Sequence, residues 1–374
     1  MEGDMRPKGY NYLKILKDHL GGMNKIFNGE LIYPRQIEIH LPGDHHRACN
    51  FKCFFCQGRL LNQPLDRWEM KALNLMDKLK GKIPYYIFGG AYTEPTLNPY
   101  FMAFLSKTKD VGASFGIHTN GSMLKTLEEN MGFLTELNAL STSKKDYLSI
   151  SLDGGTPESH SKVKGVKEDY FTDIIKAAEI AVKAKGPLSV RLCYLMSDLN
   201  NSEEEIKGII KIAKDIGVDS LRFSIPYALY GQDFKIVEKY KEVIEDKKDT
   251  KYEKLLKPLM SKDSNEKPHI FYLPPSFQSV KKMNFKQCIY SYYQITLASD
   301  GYVYKCSCTA SSSFKGHRLG KITDDLEKFN EMVMANHNKD WDAQKNCWDC
   351  KARCNRMALE LNSYWRDYED SSSG

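Results

Sequence analysis

The chain has 374 residues, enough for two domains of ordinary size. It holds 54 Lys and Arg against 48 Asp and Glu, and the net charge of +6 is spread without the basic patch typical of nucleic-acid binding. No apolar run approaches the ~18 residues of a membrane span, and the N-terminus lacks the features of a signal peptide. We therefore expect a cytoplasmic protein with no membrane partner and no nucleic-acid partner.

The first two thirds of the chain alternate between strand-like and helix-like segments. Residues 1–35 predict a helical lead-in. Six short segments rich in apolar, β-branched or aromatic residues predict strands at 36–41, 85–90, 113–121, 147–155, 188–195 and 220–227. Six β–α alternations within 36–235 predict an α/β fold with a parallel sheet, either open and doubly wound or closed as a barrel.

The clearest helix prediction covers residues 201–217. Ser202 is placed to cap the helix N-terminus, and Glu205 is placed to complete an S-x-x-E capping box. Gly217 marks the end of the helix.

The last third of the chain has a different character. Residues 236–269 are rich in lysine and glutamate and predict a charged helical linker. Residues 293–306 predict a β-hairpin around Ser299-Asp300-Gly301. We expect a second, small α+β domain at 270–374.

Nine of the ten cysteines are clustered, with three in 49–56 and six between 288 and 354, and only Cys193 is alone. In a reducing compartment such clustering indicates metal rather than disulfides. Cys49, Cys53 and Cys56 follow the first predicted strand with the spacing C-x3-C-x2-C. Three thiolates would leave one iron of a [4Fe–4S] cluster open, although His45 and His46 just upstream also allow zinc.

Glycine-rich and polar segments end the next three predicted strands. They are Gly89-Gly90, Thr119-Asn120-Gly121 and Asp153-Gly154-Gly155. In parallel α/β folds, ligands bind at the carboxyl ends of the strands. These segments and the cysteine loop are therefore expected to share one site.

The cysteine spacing after the first strand resembles the radical S-adenosylmethionine (SAM) superfamily. The resemblance implies a partial (β/α)6 TIM-type barrel over 36–235, with a [4Fe–4S] cluster on Cys49, Cys53 and Cys56 and with SAM on the open iron. An electron, delivered by a partner such as flavodoxin or ferredoxin, would cleave SAM to a 5′-deoxyadenosyl radical that abstracts a substrate hydrogen.

The same resemblance assigns SAM contacts to residues at the strand ends. Phe55 matches the aromatic position beside the adenine. Gly89, Gly90 and Glu94 in "FGGAYTEPTLNP" resemble the G-G-E-P motif that meets the SAM amino group, but Ala91-Tyr92-Thr93 separates the glycines from the acid. Either Glu94 still reaches SAM from a longer loop, or the glycine backbone meets SAM alone.

Later strands supply the remaining expected cofactor contacts. The resemblance places Ser151 and Asp153 near the ribose and Asn120 in the cofactor site. Arg191, on the fifth predicted strand, could meet the SAM carboxylate or form a salt bridge inside the barrel.

The second cysteine set resembles the SPASM/twitch extension of radical SAM enzymes. The twitch form implies one auxiliary [4Fe–4S] cluster on Cys288, Cys306, Cys347 and Cys350, and Cys354 could replace one of these ligands. A zinc ribbon is the alternative for this set. Cys193 and Cys308 are not expected to be ligands.

Three functions are compatible with these features. We expect a radical SAM oxidoreductase that oxidises, epimerises or rearranges a small metabolite or carbohydrate, with the auxiliary cluster as electron carrier. A peptide-modifying maturase is the alternative enzyme, and a zinc-stabilised binding protein is the alternative of another class. The sequence does not identify a catalytic acid or base, although His118, Arg222 and Tyr227 lie near predicted strand ends.

Overall fold

A computed structural model of the chain describes most of its residues. The described ranges are 25–26, 28–44, 47–56, 65–90, 93–167, 169–225, 252–263, 265–273, 288–337, 341–347, 358 and 361–362. No helix in these ranges is long and apolar enough to cross a membrane.

One ten-stranded sheet organises the fold, in the order β10-β9-β8-β1-β2-β3-β4-β5-β6-β7. Strands β8 and β1 to β7 run parallel to one another, whereas β9 pairs antiparallel with both β8 and β10. The strands are β1 Gln36–Ile39, β2 Tyr85–Phe88, β3 Ser114–Thr119, β4 Tyr147–Ser151, β5 Ser189–Leu195, β6 Ser220–Ser224, β7 His269–Leu273, β8 Gln294–Leu297, β9 Tyr302–Tyr304 and β10 Arg318–Lys321.

The predicted fold class is confirmed, because the six strands expected between residues 36 and 227 are all present in a parallel sheet of a mixed α/β fold. Over the residues that the structure describes, the sheet is not closed into a barrel, since β10 and β7 are its two edges. It also continues past the boundary predicted at residue 270: β7 straddles that boundary and pairs with β6, and β8 pairs with β1. The hairpin predicted at 293–306 is formed by β8 and β9.

The helices alternate with the strands. They are α1 Glu69–Lys78, α2 Phe101–Asp110, α3 Leu124–Met131, α4 Phe133–Leu140, α5 Pro157–Lys164, α6 Phe171–Lys183, α7 Glu203–Ile216, α8 Tyr290–Tyr293, α9 Leu326–Asn336 and α10 Ala343–Asn346. Their apolar faces and one face of the sheet form a continuous hydrophobic core, in which Phe104, Phe115, Leu134, Leu148 and Leu192 are fully buried.

The two faces of the sheet differ in chemistry. Alternate strand residues such as Ile37, Phe115 and Leu192 belong to the core beneath the helices. The intervening positions hold polar side chains, including Glu38 on β1 and Arg191 on β5. Side chains alternate between the faces of a strand, so these polar residues share the face opposite the helices, which we call the inner face.

The predicted capping of α7 is half correct. Ser202 caps the helix by accepting the Glu205 backbone N–H. The Glu205 carboxylate does not return to Ser202 but accepts the Gly155 N–H at 2.6 Å and the Thr156 hydroxyl at 2.7 Å. The capping-box prediction for Glu205 is therefore wrong, because the donors that its carboxylate accepts come from the loop after β4, about 50 residues earlier in the sequence.

Candidate active site

The loop that follows β1 carries the first three cysteines. Cys49, Cys53 and Cys56 are half-buried and form no disulfide. The backbone N–H of Cys56 donates to the Cys53 carbonyl oxygen at 3.0 Å, which turns the loop between these two thiols. The loop therefore presents its three sulfurs in a compact segment at the carboxyl end of β1.

The end of α5 holds this loop in place. The Lys52 N–H donates to the Lys164 carbonyl oxygen at 3.0 Å, and the Phe54 N–H donates to the Val163 carbonyl oxygen at 3.2 Å. Gly165 ends α5 with φ of +64°, and a Cβ there would lie 2.3 Å from the Lys52 carbonyl oxygen. Glycine at this position thus permits both the helix end and the close approach of the loop.

The Cys49 sulfur has two nearby hydrogen-bond donors. The Phe51 N–H lies 3.4 Å from Sγ, and the Asn120 side-chain amide lies 3.6 Å from it. Burial raises the pKa of the Cys49 thiol to about 12, and the Glu94 carboxylate adds to this shift. Without a metal the thiol stays protonated at neutral pH, whereas the same donors would stabilise a metal-bound thiolate.

Glu94 lies beside the cysteine loop despite the three residues that separate it from Gly90. Its own N–H donates to the Ala48 carbonyl oxygen at 2.9 Å. Oε1 accepts the Thr96 and Thr119 hydroxyls, both at 2.6 Å, and Oε2 accepts the Asn120 N–H at 2.7 Å. Burial raises the pKa of this carboxyl, although these donors oppose the shift. Glu94 therefore links the cysteine loop to the end of β3.

The two glycines after β2 allow a close approach to β1 and β3. Gly90 has φ of +149°, and a Cβ there would lie 2.9 Å from the His40 ring. A Cβ on Gly89 would lie 3.0 Å from Cβ of His118. The structure thus places both predicted glycines at the strand ends, next to the Glu94 turn.

A buried ion pair forms the opposite wall of the site. Asp153 has φ of +52°, and its carboxylate accepts the Lys164 ammonium and the Ser151 hydroxyl, both at 2.6 Å, and the Leu195 N–H at 2.6 Å. Both ionic side chains are almost completely buried. Burial alone would lower the pKa of Lys164, but Asp153 and the Cys53 thiol raise it. Lys164 is therefore a fixed positive charge beside the cysteine loop.

Lys164 is the main functional candidate that the sequence analysis missed. Its Nζ lies 5.9 Å from the centre of the Phe55 ring, and Phe55 is the residue predicted to lie beside the adenine. In the sequence "SHSKVKG" it resembles an ordinary exposed lysine near a helix end. Only the Gly165 that follows, which permits the close contact with the loop, distinguishes it in retrospect.

Arg191 does not lie at the strand ends with these residues. It is two residues before Cys193, and Cys193 is the register partner of Ser151. Its guanidinium lies 4.0 Å from the centre of the Tyr147 ring, and Nε donates to the Ser189 hydroxyl at 3.3 Å. No salt bridge of Arg191 occurs among the described residues, and its predicted contact with the SAM carboxylate stays a prediction.

The second cysteine set surrounds a buried lysine. Burial raises the pKa of the Cys288 thiol, with Cys306 as the next cause, and the Asn362 amide lies 3.6 Å from the Cys288 sulfur. Burial lowers the pKa of Lys305 to about 8, while the charges of Cys288 and Cys347 oppose this shift. Cys288, Cys306 and Cys347 thus lie around Lys305.

Some predicted residues lie outside the described ranges. They are His45, His46, Tyr227, Cys350 and Cys354. Cys193 lies away from both cysteine sets, with its sulfur 3.0 Å from the Ser149 hydroxyl inside the sheet. Within the described ranges, no three His, Cys, Asp or Glu side chains converge tightly enough to hold a single metal ion.

Comparison with known families supports the radical SAM resemblance. Residues 44–206 match the model of the radical SAM superfamily. A probable GTP 3′,8-cyclase of Sulfurisphaera tokodaii is 28% identical over 177 residues, which cover 46% of this chain and 51% of that protein. A probable GTP 3′,8-cyclase of Saccharolobus islandicus is 27% identical over 180 residues. The chain thus spans about half the length of the curated relatives it matches.

Solved structures extend the likeness in fold to most of the chain. SuiB of Streptococcus suis has a TM-score of 0.56 at 15% identity, covering 92% of this chain and 74% of SuiB. The anSMEcpe protein with bound AdoMet has a TM-score of 0.55 at 21% identity, covering 90% of this chain and 95% of that protein. The fold and the cysteine loop agree with the family match, which identifies residues 44–206 as a radical SAM superfamily domain.

Proposed function

We propose that this protein cleaves SAM reductively and uses the resulting radical to abstract a hydrogen atom from a substrate. One observation carries the proposal: the loop of Cys49, Cys53 and Cys56 lies between Glu94 and Lys164 at the carboxyl end of the parallel sheet. This arrangement combines three soft ligands, an acid and a buried cation in one place.

The donor set fits a [4Fe–4S] cluster with one open iron. The three thiols lie on one loop, the Cys49 sulfur has two N–H donors, and Lys164 is near Cys53. Hydrogen bonds to sulfur and nearby charge are the means by which a protein stabilises such a cluster and sets its potential. When bound together, the cluster and SAM supply an electron and a 5′-deoxyadenosyl radical.

The chain's own residues would bind and orient SAM. Oε2 of Glu94 accepts one N–H in the structure, from Asn120, and a carboxylate oxygen can accept a second donor such as the SAM amino group. Phe55 would flank the adenine. Ser151 would meet the ribose, since the Asp153 carboxylate is buried and occupied by three donors. The backbone of Gly89 and Gly90, which carry no side chain, would lie against the SAM amino group.

The C-terminal cysteines would hold an auxiliary [4Fe–4S] cluster. Cys288, Cys306 and Cys347 supply three thiols around Lys305, and Cys350 or Cys354 would supply the fourth. A fully ligated cluster cannot bind substrate at iron, so its role would be to carry an electron. Net oxidation of a substrate then becomes possible.

A small metabolite or carbohydrate is the proposed substrate, and flavodoxin or ferredoxin in the cytoplasm is the proposed reductant. A peptide is the second candidate. It is favoured by the likeness in fold to SuiB, whose structure with the precursor peptide SuiA has a TM-score of 0.54 with this chain.

The test is SAM cleavage by the anaerobically reconstituted protein with dithionite. We expect 5′-deoxyadenosine from the wild type and none from the Cys49→Ala, Cys53→Ala, Cys56→Ala triple variant. Cys193→Ala is the matched control, because this buried thiol lies outside both cysteine sets, and it should retain cleavage. Intact SAM with an iron-loaded wild type, or zinc bound in place of iron, would contradict the proposal.

A further inference from the structure

The residues on both sides of Cys53 are hydrogen-bonded to the end of helix α5. The Lys52 N–H donates to the Lys164 carbonyl oxygen at 3.0 Å, and the Phe54 N–H donates to the Val163 carbonyl oxygen at 3.2 Å. Both carbonyls belong to the last turn of α5, which is the negative end of the helix dipole. A metal-bound thiolate at Cys53 would therefore lie next to a partial negative charge, which is unfavourable unless a cation offsets it.

The ammonium group of Lys164 supplies this cation. Its side chain is only 2% exposed, so water and salt screen its charge little. Nζ lies 2.6 Å from Oδ2 of Asp153 and 3.0 Å from Oγ of Ser151. It also lies 5.9 Å from the centre of the ring of Phe55, which belongs to the cysteine loop. These contacts fix the positive charge beside that loop.

Asp153 offsets the charge of Lys164 only in part at the cysteine loop. An ammonium and a carboxylate 2.6 Å apart form a small dipole, and a third group responds to the nearer of its two ends. Burial raises the pKa of the Cys53 thiol to about 11, and Lys164 lowers this pKa by more than Asp153 raises it. The positive end of the pair is therefore the end nearer to Cys53.

A charge in this place acts on the electron that a cluster accepts. Three thiolate ligands make the bound cluster negative, and reduction adds one more negative charge at a half-buried site. A fixed cation stabilises the reduced form more than the oxidised form, and the effect is larger in a protein interior than in water. Lys164 thus favours reduction, whereas Asp153 and the end of α5 oppose it.

We propose that Lys164 raises the reduction potential of the cluster on Cys49, Cys53 and Cys56, and that Asp153 limits this rise. The inference rests on the proposed function, because it concerns the cluster that would cleave SAM. It gives Lys164 a part in electron transfer in addition to its part in holding the loop. A higher potential eases reduction by a partner such as flavodoxin or ferredoxin.

The test is a redox titration of the anaerobically reconstituted full chain without SAM, followed by electron paramagnetic resonance. In Lys164→Met the potential of the three-cysteine cluster should fall by at least about 59 mV, a tenfold lower ratio of reduced to oxidised cluster at a fixed potential. Lys164→Arg keeps the charge and should stay near the wild type. Adding Asp153→Asn to Lys164→Met should raise the potential part of the way back, because it removes the unpaired carboxylate.

The controls separate an electrostatic effect from a structural one. Lys162→Met removes an exposed lysine two residues away on the same helix and should leave the potential unchanged. The potential of the auxiliary cluster should stay constant in every variant. Iron content reports loading, and where Lys164→Met alone does not load, the double variant with Asp153→Asn is compared with the wild type and should lie below it.

Two outcomes would overturn the inference: a potential in Lys164→Met equal to that of the wild type, or a further fall when Asp153→Asn is added. The second outcome is what a merely structural role produces, since the two substitutions would then add their damage. A shifted potential without SAM cleavage would contradict the proposed function alone, and cleavage with an unshifted potential would contradict this inference alone. Zinc in place of iron would overturn both.

Discussion

The two cysteine regions are built in different ways. The first has three thiols within eight residues, on one loop that backbone hydrogen bonds fasten to the end of α5. The second collects Cys288, Cys306 and Cys347 from segments separated by 18 and 41 residues. A local motif needs a support for one loop, whereas a dispersed one needs the surrounding fold to bring its ligands together.

Each region also contains a buried lysine, and the two lysines differ in their partners. Lys164 in the first region is paired with Asp153 at 2.6 Å, and its pKa is raised. Lys305 in the second donates to the neutral Asn336 amide oxygen at 3.2 Å and lies 5.1 Å from the centre of the Trp341 ring. The first lysine is therefore neutralised by a carboxylate, whereas the hydrogen-bond partner of the second is neutral.

The largest expected effect follows from breaking the Lys164–Asp153 pair. Lys164→Met leaves a buried carboxylate without its cation, which costs about 3 to 5 kcal/mol of unfolding free energy. Anaerobic urea unfolding of the cluster-loaded protein measures this, and adding Asp153→Asn should restore part of the loss. The exposed pair of Lys207 and Glu203 provides the control, since Lys207→Met should change stability little. An equally small effect of Lys164→Met would contradict the buried-pair account.

A smaller effect is expected at Glu94. Glu94→Gln keeps one oxygen for the threonine donors but turns an amide NH2 toward the Asn120 N–H, which leaves a buried donor unsatisfied at about 2 kcal/mol. SAM affinity should fall at least tenfold, because the variant loses a charged acceptor and displaces Asn120 from the Cys49 sulfur. Glu158→Gln, on the exposed side of α5, is the control. Unchanged SAM affinity in Glu94→Gln would mean that the glycine backbone binds SAM alone.

Two histidine variants, one in each cysteine region, compare how the stability of the two regions depends on pH. His160 packs against Phe51 and Phe171 and has no hydrogen-bond partner in the part of the chain that the structure describes, and burial lowers its pKa from 6.5 to about 4. The unfolded state thus binds more protons than the folded state between these values, and stability falls as pH drops through this window. His160→Phe should therefore gain about 1 kcal/mol over wild type when the pH is lowered from 7.0 to 5.5.

In the second region, burial lowers the pKa of His317 to about 4 as well, but its Nε2 lies 2.9 Å from the Asn346 carbonyl oxygen. His317→Phe should show the same gain at low pH and lose stability at pH 7.0, because it gives up that hydrogen bond. Urea unfolding of both variants at the two pH values measures the difference. An equal change in unfolding free energy for both variants at pH 7.0 would contradict this expected difference between the two histidines.

The smallest effect is expected at Lys305. Lys305→Met removes a positive charge next to the second cysteine set, so the auxiliary cluster should become harder to reduce, while the cluster at Cys49 should keep its potential. A redox titration followed by electron paramagnetic resonance separates the two signals. Lys315→Met, at an exposed position, should change neither. A shift of both potentials, or of neither, would argue against a cluster around Lys305.

The difference between local and dispersed features also explains which parts of the fold could be predicted from the sequence. Strands β1 to β6 and the first cysteine set are local patterns, and both could be predicted. The pairing of β8 with β1 could not, since it joins segments about 258 residues apart. Strand β7 was missed because its five residues are all buried and show no alternation. Lys164 was missed for a related reason: only tertiary contacts make it differ from a surface lysine.

The central claim is that the two cysteine regions hold two separate four-iron clusters, and counting iron in each region tests it most directly. We expect about eight irons per wild-type chain after reconstitution and about four in each of two triple variants, Cys49, Cys53 and Cys56 to Ala or Cys288, Cys306 and Cys347 to Ala. Loss of all iron from either triple variant, or stoichiometric zinc in the wild type, would contradict the account.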